Sequence, residues 1–370
     1  MTKNSYLKII ILTVIFGLGA GIVGQLFVNA YLLTPEVFVG APESKINKKI
    51  TQSEENQKII EAHDAVAPAV LEIYPQKINL PTGSLGQIYL PSDRAALGVS
   101  LTSDGWLVSF GRALADSKNH YVVITADHQI FLPKQIIFDE ATEVVFIKIE
   151  AQNLPIPKLG AYENLSLGEK IIFPFGKQSL AASEIKDLNY EKSNEIKDLF
   201  RSSEKFSKSL LFTDKLAANE IGVPTVNYES EVIGIVSDPE GRAIPTDFWR
   251  PAFLEILKNN KISRTYLGLR YLDLAETFGL AETISQGKSS GALLWSDLTL
   301  QIQSVAKNSP AAKTGLKNGD IIIKINSEEI TAKNDLAEII QDYNPGDEIN
   351  VTFLRNGKEE TAKVVLGEKL

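Results

Sequence analysis

The chain contains no cysteine among its 370 residues. That absence excludes disulfides, thiolate nucleophiles and cysteine-ligated zinc together, while leaving the redox compartment open. Histidine is nearly as scarce. His63, His120 and His128 are scattered and form no HExxH or comparable ligand spacing, so neither a metal site nor a cofactor is expected. A basic surplus is also missing: the formal net charge is −8. A nucleic-acid binder needs clustered Lys and Arg to neutralise phosphates, and no such face is present. Hydrophobic residues at 44% and charged residues at 23% belong to a folded chain, and the length calls for two or three domains.

Residues 9–28, IIILTVIFGLGAGIVGQLFV, lack charge altogether. A helix of that length, rising about 1.5 Å per residue, spans the roughly 30 Å of a bilayer core. Lys3 and Lys8 precede it, and residues 34–42 beyond it carry only an acid. The positive-inside rule therefore keeps the N-terminus cytoplasmic and places the rest outside. The alternative is a cleaved signal peptide, for which Val28-Asn29-Ala30 supplies small residues near a cleavage position. Gly17 with Gly21, and Ala20 with Gly24, would let two such helices pack closely.

The remaining chain divides by texture. Residues 1–35 form the cytoplasmic stub and anchor, and residues 36–60 a polar, Lys- and Glu-rich linker. A short helix broken at Pro68 follows. Residues 61–260 then show many short β-type runs, such as ALGVSLTSDGWLVSF and SEVIGIVSD, with no long helices between them. That pattern predicts a mostly-β barrel or sandwich. Residues 183–208 stand apart: EIKDL occurs twice, at 184–188 and 195–199, and reads as a surface helix or flap. A closing helix is expected over 250–262. Within 264–370 the pattern predicts a strand over Ile321–Ile325, an amphipathic helix over 331–343 and a hairpin turning at Asn356-Gly357.

With these blocks in order, the chain resembles the HtrA/Deg family of membrane-anchored or secreted trypsin-like serine proteases with C-terminal PDZ domains. The resemblance rests on LPIPKLGAYENLSLGEKIIFPFG, on SEVIGIV, and on AIPTDFWRPAFLEILKNNKISRTYLGL, and it covers roughly residues 60–370. It implies a trypsin-like double β-barrel over 61–260 and an α+β PDZ domain over 264–370. The family's histidine block falls on DGWLVSFGRAL, its aspartate block on DEATEVVFIKI and its nucleophile loop on NEIGVP. The triad positions are thus Arg112, Glu143 and Ile221. Acyl transfer needs a nucleophile, a base and an acid to orient that base. Arginine stays protonated and isoleucine has no lone pair, so no catalytic residue is assigned. Asn219 also replaces the glycine whose N–H completes the oxyanion hole. Arg112 and Glu143 are expected to form an ion pair beside Ile221. The histidines are expected to be exposed, and Ser109 and Thr225 flank the cleft without an evident base.

The PDZ part shows no comparable loss. The resemblance implies a carboxylate-capturing loop at Tyr266, Leu267, Gly268 and Leu269, with Leu336 and Ile340 lining the pocket for the last peptide side chain. The implied function is a membrane-anchored pseudoprotease that binds peptide or protein C-termini, as a regulator or scaffold in envelope protein quality control. It would form a homotrimer or associate with an active relative. The alternative is a divergent serine-type endopeptidase using non-standard residues.

Overall fold

In the computed structural model, the residues described are 52–78, 85–116 and 120–369. The apolar run at 9–28 and most of the polar linker lie outside them. Among the described residues no helix is long and apolar enough to cross a membrane.

Helix α1 (Gln52–Val66) begins before the polar run ends at Gln57, whose side chain donates to Glu61 Oε1 at 2.8 Å. It buries Ala62, His63 and Val66, and Pro68 converts its end into a 3₁₀ turn. Seven antiparallel strands follow: β1 (Val70–Pro75), β2 (Ala96–Ser100), β3 (Trp106–Phe110), β4 (Tyr121–Ile124), β5 (Ile130–Phe131), β6 (Gln135–Phe138) and β7 (Val144–Lys148). Their order is β5-β4-β1-β2-β3-β7-β6.

The second sheet uses β8 (Lys158–Leu159), β9 (Lys170–Gly176), β10 (Ser179–Tyr190), β12 (Ser209–Phe212), β13 (Pro224–Asn227), β14 (Glu231–Asp238) and β15 (Arg242–Pro245). β13 pairs with both β9 and β14, which closes the sheet into a barrel around Phe173, Phe212, Ile185 and Val236. Closure leaves only the two-residue β8 as an edge. Helix α2 (Thr246–Asn259) starts earlier than the sequence pattern indicates and stops where Asn260 adopts φ +55°. It inserts Trp249 and Phe253 against Phe146, with ring centroids 6.4 and 5.6 Å away, and so joins the barrel layers.

The remaining elements are β16 (Arg264–Tyr266), β17 (Arg270–Asp273), α3 (Glu282–Ser285), β18 (Ala292–Leu293), α4 (Pro310–Lys313), β19 (Ile321–Ile325), β20 (Glu328–Glu329), α5 (Leu336–Gln341), β21 (Glu348–Arg355), β22 (Lys358–Val365) and β23 (Gly367–Lys369). Strand β19 has the expected bounds, and β21 and β22 turn at Asn356-Gly357. Helix α5 is shorter than the sequence pattern, because Asp335 already caps it with extended backbone.

The charged stretch 183–208 is not helical. Its first EIKDL lies in β10, whose pairing with both β9 and β12 outweighs helical spacing and buries Ile185. The second forms a 3₁₀ turn, Ile196–Leu199, that leaves Ile196 exposed. The next three residues form β11 (Phe200–Ser202), which leaves the barrel and becomes the edge of the C-terminal sheet, β11-β17-β18-β19-β21-β22.

Candidate functional site

The side chains at Arg112 and Glu143 do not pair with one another. Arg112 is exposed; its guanidinium lies over the Phe138 ring at 4.5 Å and pairs with Glu140 at 3.6 Å. Glu143 is exposed too and pairs with Lys205 at 3.3 Å. The expected Arg112–Glu143 ion pair is therefore replaced by two separate ones. Both side chains reach solvent, where partners from neighbouring loops cost little desolvation.

The loop carrying Ile221 is held by groups that sequence motifs do not reveal. Half-buried Arg94 donates from Nε to the Asn219 carbonyl at 2.8 Å and from Nη1 to Glu72 Oε1 at 3.1 Å. The Ile221 carbonyl accepts from Leu97 N–H at 2.8 Å. Asn219 itself sits in a 3₁₀ turn and donates to the Pro91 carbonyl. Ser109 is fully buried and its Oγ donates to the Leu97 carbonyl; Thr225 Oγ1 is buried with no partner. His120 and His128 are exposed as expected. His63 is not: it is buried, and its Nε2 donates to the Gly176 carbonyl at 2.8 Å. Its helix packs that face against the second barrel. Among the described residues no group of His, Asp and Glu is placed to hold a metal.

The second candidate site is built around β17 and α5. The Tyr266–Leu269 loop turns at Gly268, whose φ is +84°; an added Cβ would lie 2.3 Å from Ser309 Cβ, so glycine is required there. The loop's amides are already engaged. Leu267 N–H and Gly268 N–H both donate to Glu204 Oε1, at 3.2 and 2.8 Å, and Leu269 N–H donates to Ser203 Oγ at 3.0 Å. Glu204 is buried, and Ser202 and Ser203 hydroxyls hold its two carboxylate oxygens. Upstream, β11 runs antiparallel to β17 with Phe200 opposite Leu272, Arg201 opposite Tyr271 and Ser202 opposite Arg270. Ser203 N–H continues the ladder to the Leu269 carbonyl at 3.1 Å.

The α5 side of the segment is ionic. Arg201 is buried and meets Asp273, Asp335 and Glu191; the Asp335 contact is 3.2 Å. Burial alone would lower the pKa of Arg201, but Asp335, Asp273 and Glu191 hold it above its ordinary value. Burial also pushes the Glu191 carboxyl up to about 7, against the pull of Arg201, and raises Asp273 in the same way. Lys208 pairs with Glu338 at 3.0 Å and donates to the Lys333 carbonyl. Leu336 and Ile340 are wholly buried in the domain core beneath.

The same segment ties back to the barrels. Phe206 stacks on Phe248 with centroids 4.3 Å apart, and its N–H donates to the Ala141 carbonyl. Beside it, Arg264 makes a two-toothed pair with buried Asp139. Sequence reasoning missed Glu204, Arg201, Arg94 and Asp139, because a charged residue in a polar stretch carries no local mark of a partner far along the chain.

The PDZ domain family matches residues 268–366. A probable periplasmic serine endoprotease DegP-like of Pseudomonas putida (strain GB-1) is 29% identical over 286 residues, covering 73% of this chain and 55% of the relative. Serine protease Do-like HtrA of Bacillus subtilis (strain 168) is 28% identical over 350 residues, covering 86% and 74%. The chain spans about half the length of the Pseudomonas putida protein. Among solved structures, HtrA-type protease AlgW with a tripeptide superposes with a TM-score of 0.63 at 21% identity, covering 85% of this chain and 97% of that one. The same protease with a decapeptide gives 0.61 at 20%, covering 84% and 98%. Together these findings support the resemblance to HtrA/DegP-type serine proteases: a trypsin-like, mostly-β fold followed by a C-terminal PDZ domain.

Proposed function

We propose that the chain is an HtrA-like pseudoprotease. It is anchored by residues 9–28 with its folded part outside the cytoplasm, and it works through its PDZ groove, which captures peptide or protein C-termini as a regulator or scaffold in envelope protein quality control. The observation that carries this reading is the state of the three triad positions. Arg112 turns to Glu140, Glu143 turns to Lys205, and Ile221 holds the nucleophile's place. A base, an acid aimed at it and a nucleophile are all required for acyl transfer, and none is supplied. The name of the Pseudomonas putida relative places that protein in the periplasm, in keeping with the orientation read from Lys3 and Lys8.

The competing reading, an endopeptidase with non-standard residues, would have to use Ser109 or Thr225. Both are buried, and His63, the buried histidine, is committed to Gly176. The full chain in detergent is expected to leave β-casein intact over hours at neutral pH. Cleavage that disappears on Ser109→Ala or Thr225→Ala would overturn the pseudoprotease reading.

A further inference from the structure

The groove that would receive a peptide already holds a piece of the chain. In β-augmentation a peptide adds antiparallel to the edge strand, and loop amides capture its carboxylate. Residues 200–204 do each of these things. Phe200–Ser202 run antiparallel along Arg270–Leu272, Ser203 makes the last ladder bond to Leu269, and a carboxylate sits on the Leu267 and Gly268 amides. The carboxylate belongs to the Glu204 side chain, which fills the place that a chain ending at Ser203 would give its α-carboxylate.

Two residues before Ser203, Arg201 faces Asp273 and Asp335, side chains that are 3% and 1% exposed. Asp335 Oδ1 also accepts from Tyr271 OH at 2.7 Å, while its Oδ2 has no partner. Removing the guanidinium would leave two buried carboxylates uncompensated, which a protein interior tolerates poorly. Whatever displaces the segment must therefore bring a cation to the same spot.

We infer that residues 200–204 are a built-in stand-in for the peptide ligand, and that the ligand replacing them is a C-terminal peptide with Arg or Lys at its third position from the end. The inference deepens the peptide-binding reading above and rests on it. The segment closes the groove until such a peptide competes it away.

The probe is a fluorescein-labelled decapeptide ending in Phe-Arg-Ser-Ser with a free carboxylate. It is titrated against the full chain in detergent, beside an amidated form and a form with Gln in place of the Arg. Because the chain has no cysteine, the double substitution Ser202→Cys and Arg270→Cys, at positions paired across β11 and β17, gives a single reversible lock. Glu204→Gln weakens the carboxylate anchor. Expected are binding to Glu204→Gln about ten-fold or more tighter than to wild type, no binding to the oxidised lock, and recovery on reduction. The amidated and Gln peptides should bind about ten-fold or more weakly. Equal affinities for wild type, Glu204→Gln and both states of the lock would overturn the stand-in and leave peptide binding standing. Tight binding indifferent to the Arg would overturn the cation requirement. No binding in any form at millimolar peptide would overturn the peptide-binding reading itself. The segment is then read independently by hydrogen exchange at the Leu267 and Gly268 amides: faster exchange in Glu204→Gln is expected, and equal rates would overturn the stand-in.

Discussion

A Cβ built on Gly222 would lie 2.1 Å from the Leu97 carbonyl oxygen and 2.5 Å from Ser109 Oγ, and the residue's φ is +85°. The loop that carries Ile221 therefore packs its backbone directly against β2 and β3. Leu97 is part of a strand that cannot retreat without breaking its pairing with β1. Gly222→Ala is expected to cost roughly 3 kcal/mol, from clash and a left-handed φ together, measured by urea denaturation. A loss below about 1 kcal/mol would show that the loop swings free of β2. The neighbouring Ile221 position is assigned from the order of sequence blocks. Arg94 is not, since its contacts to Asn219 and Glu72 lie 125 and 22 residues away in the chain.

At the scale of elements, β10 and β11 show why 183–208 misled the sequence reading. Two copies of one pentapeptide, EIKDL, adopt different structures, a strand and a 3₁₀ turn, because one has barrel strands on both sides and the other has none. Local pattern decides where partners are absent; tertiary pairing decides elsewhere. The hairpin at Asn356-Gly357 and strand β19 were readable since their signals are local. The β11–β17 pairing was not, because it joins residues some 70 positions apart.

The ions along β11 also make its docking sensitive to pH. Glu191 rises from 4.5 to about 7, burial being the main cause, opposed by Arg201 and reinforced by Asp335 and Asp273, with Lys208 opposing in turn. A carboxyl whose folded pKa is raised binds its proton more readily in the folded state. Its favourable contribution is complete below about 4.5 and is lost as pH rises through about 7. Asp273 and Glu338 shift in the same direction. The melting temperature is therefore expected to fall between roughly pH 4.5 and 7, and Glu191→Gln should flatten that fall. An unchanged slope in the variant would assign the pH dependence to other groups.

For the molecule as a whole, segment 200–208 is a strut between barrel and PDZ domain. Arg201 and Glu204 grip β17 and the Tyr266–Leu269 loop, while Lys205 and Phe206 hold Glu143, Ala141 and Phe248. The Arg264–Asp139 pair fastens the same junction from the other side of the chain. Scanning calorimetry is expected to show one unfolding transition. Arg201→Ala leaves Asp273 and Asp335 unpaired at a cost of about 3–5 kcal/mol and should split the transition into two. A single, merely lowered transition would mean that the Arg264–Asp139 junction alone couples the domains.

Because strut and groove belong to one chain, their encounter does not depend on how much protein is present. Dilution cannot empty the groove, and a tethered segment meets its site at an effective concentration of around a millimolar. A free peptide at micromolar level thus faces a standing handicap of about a thousand-fold for equal intrinsic affinity. The protein would ignore scattered chain ends and respond only when they accumulate locally, which makes it a threshold detector rather than a passive sponge.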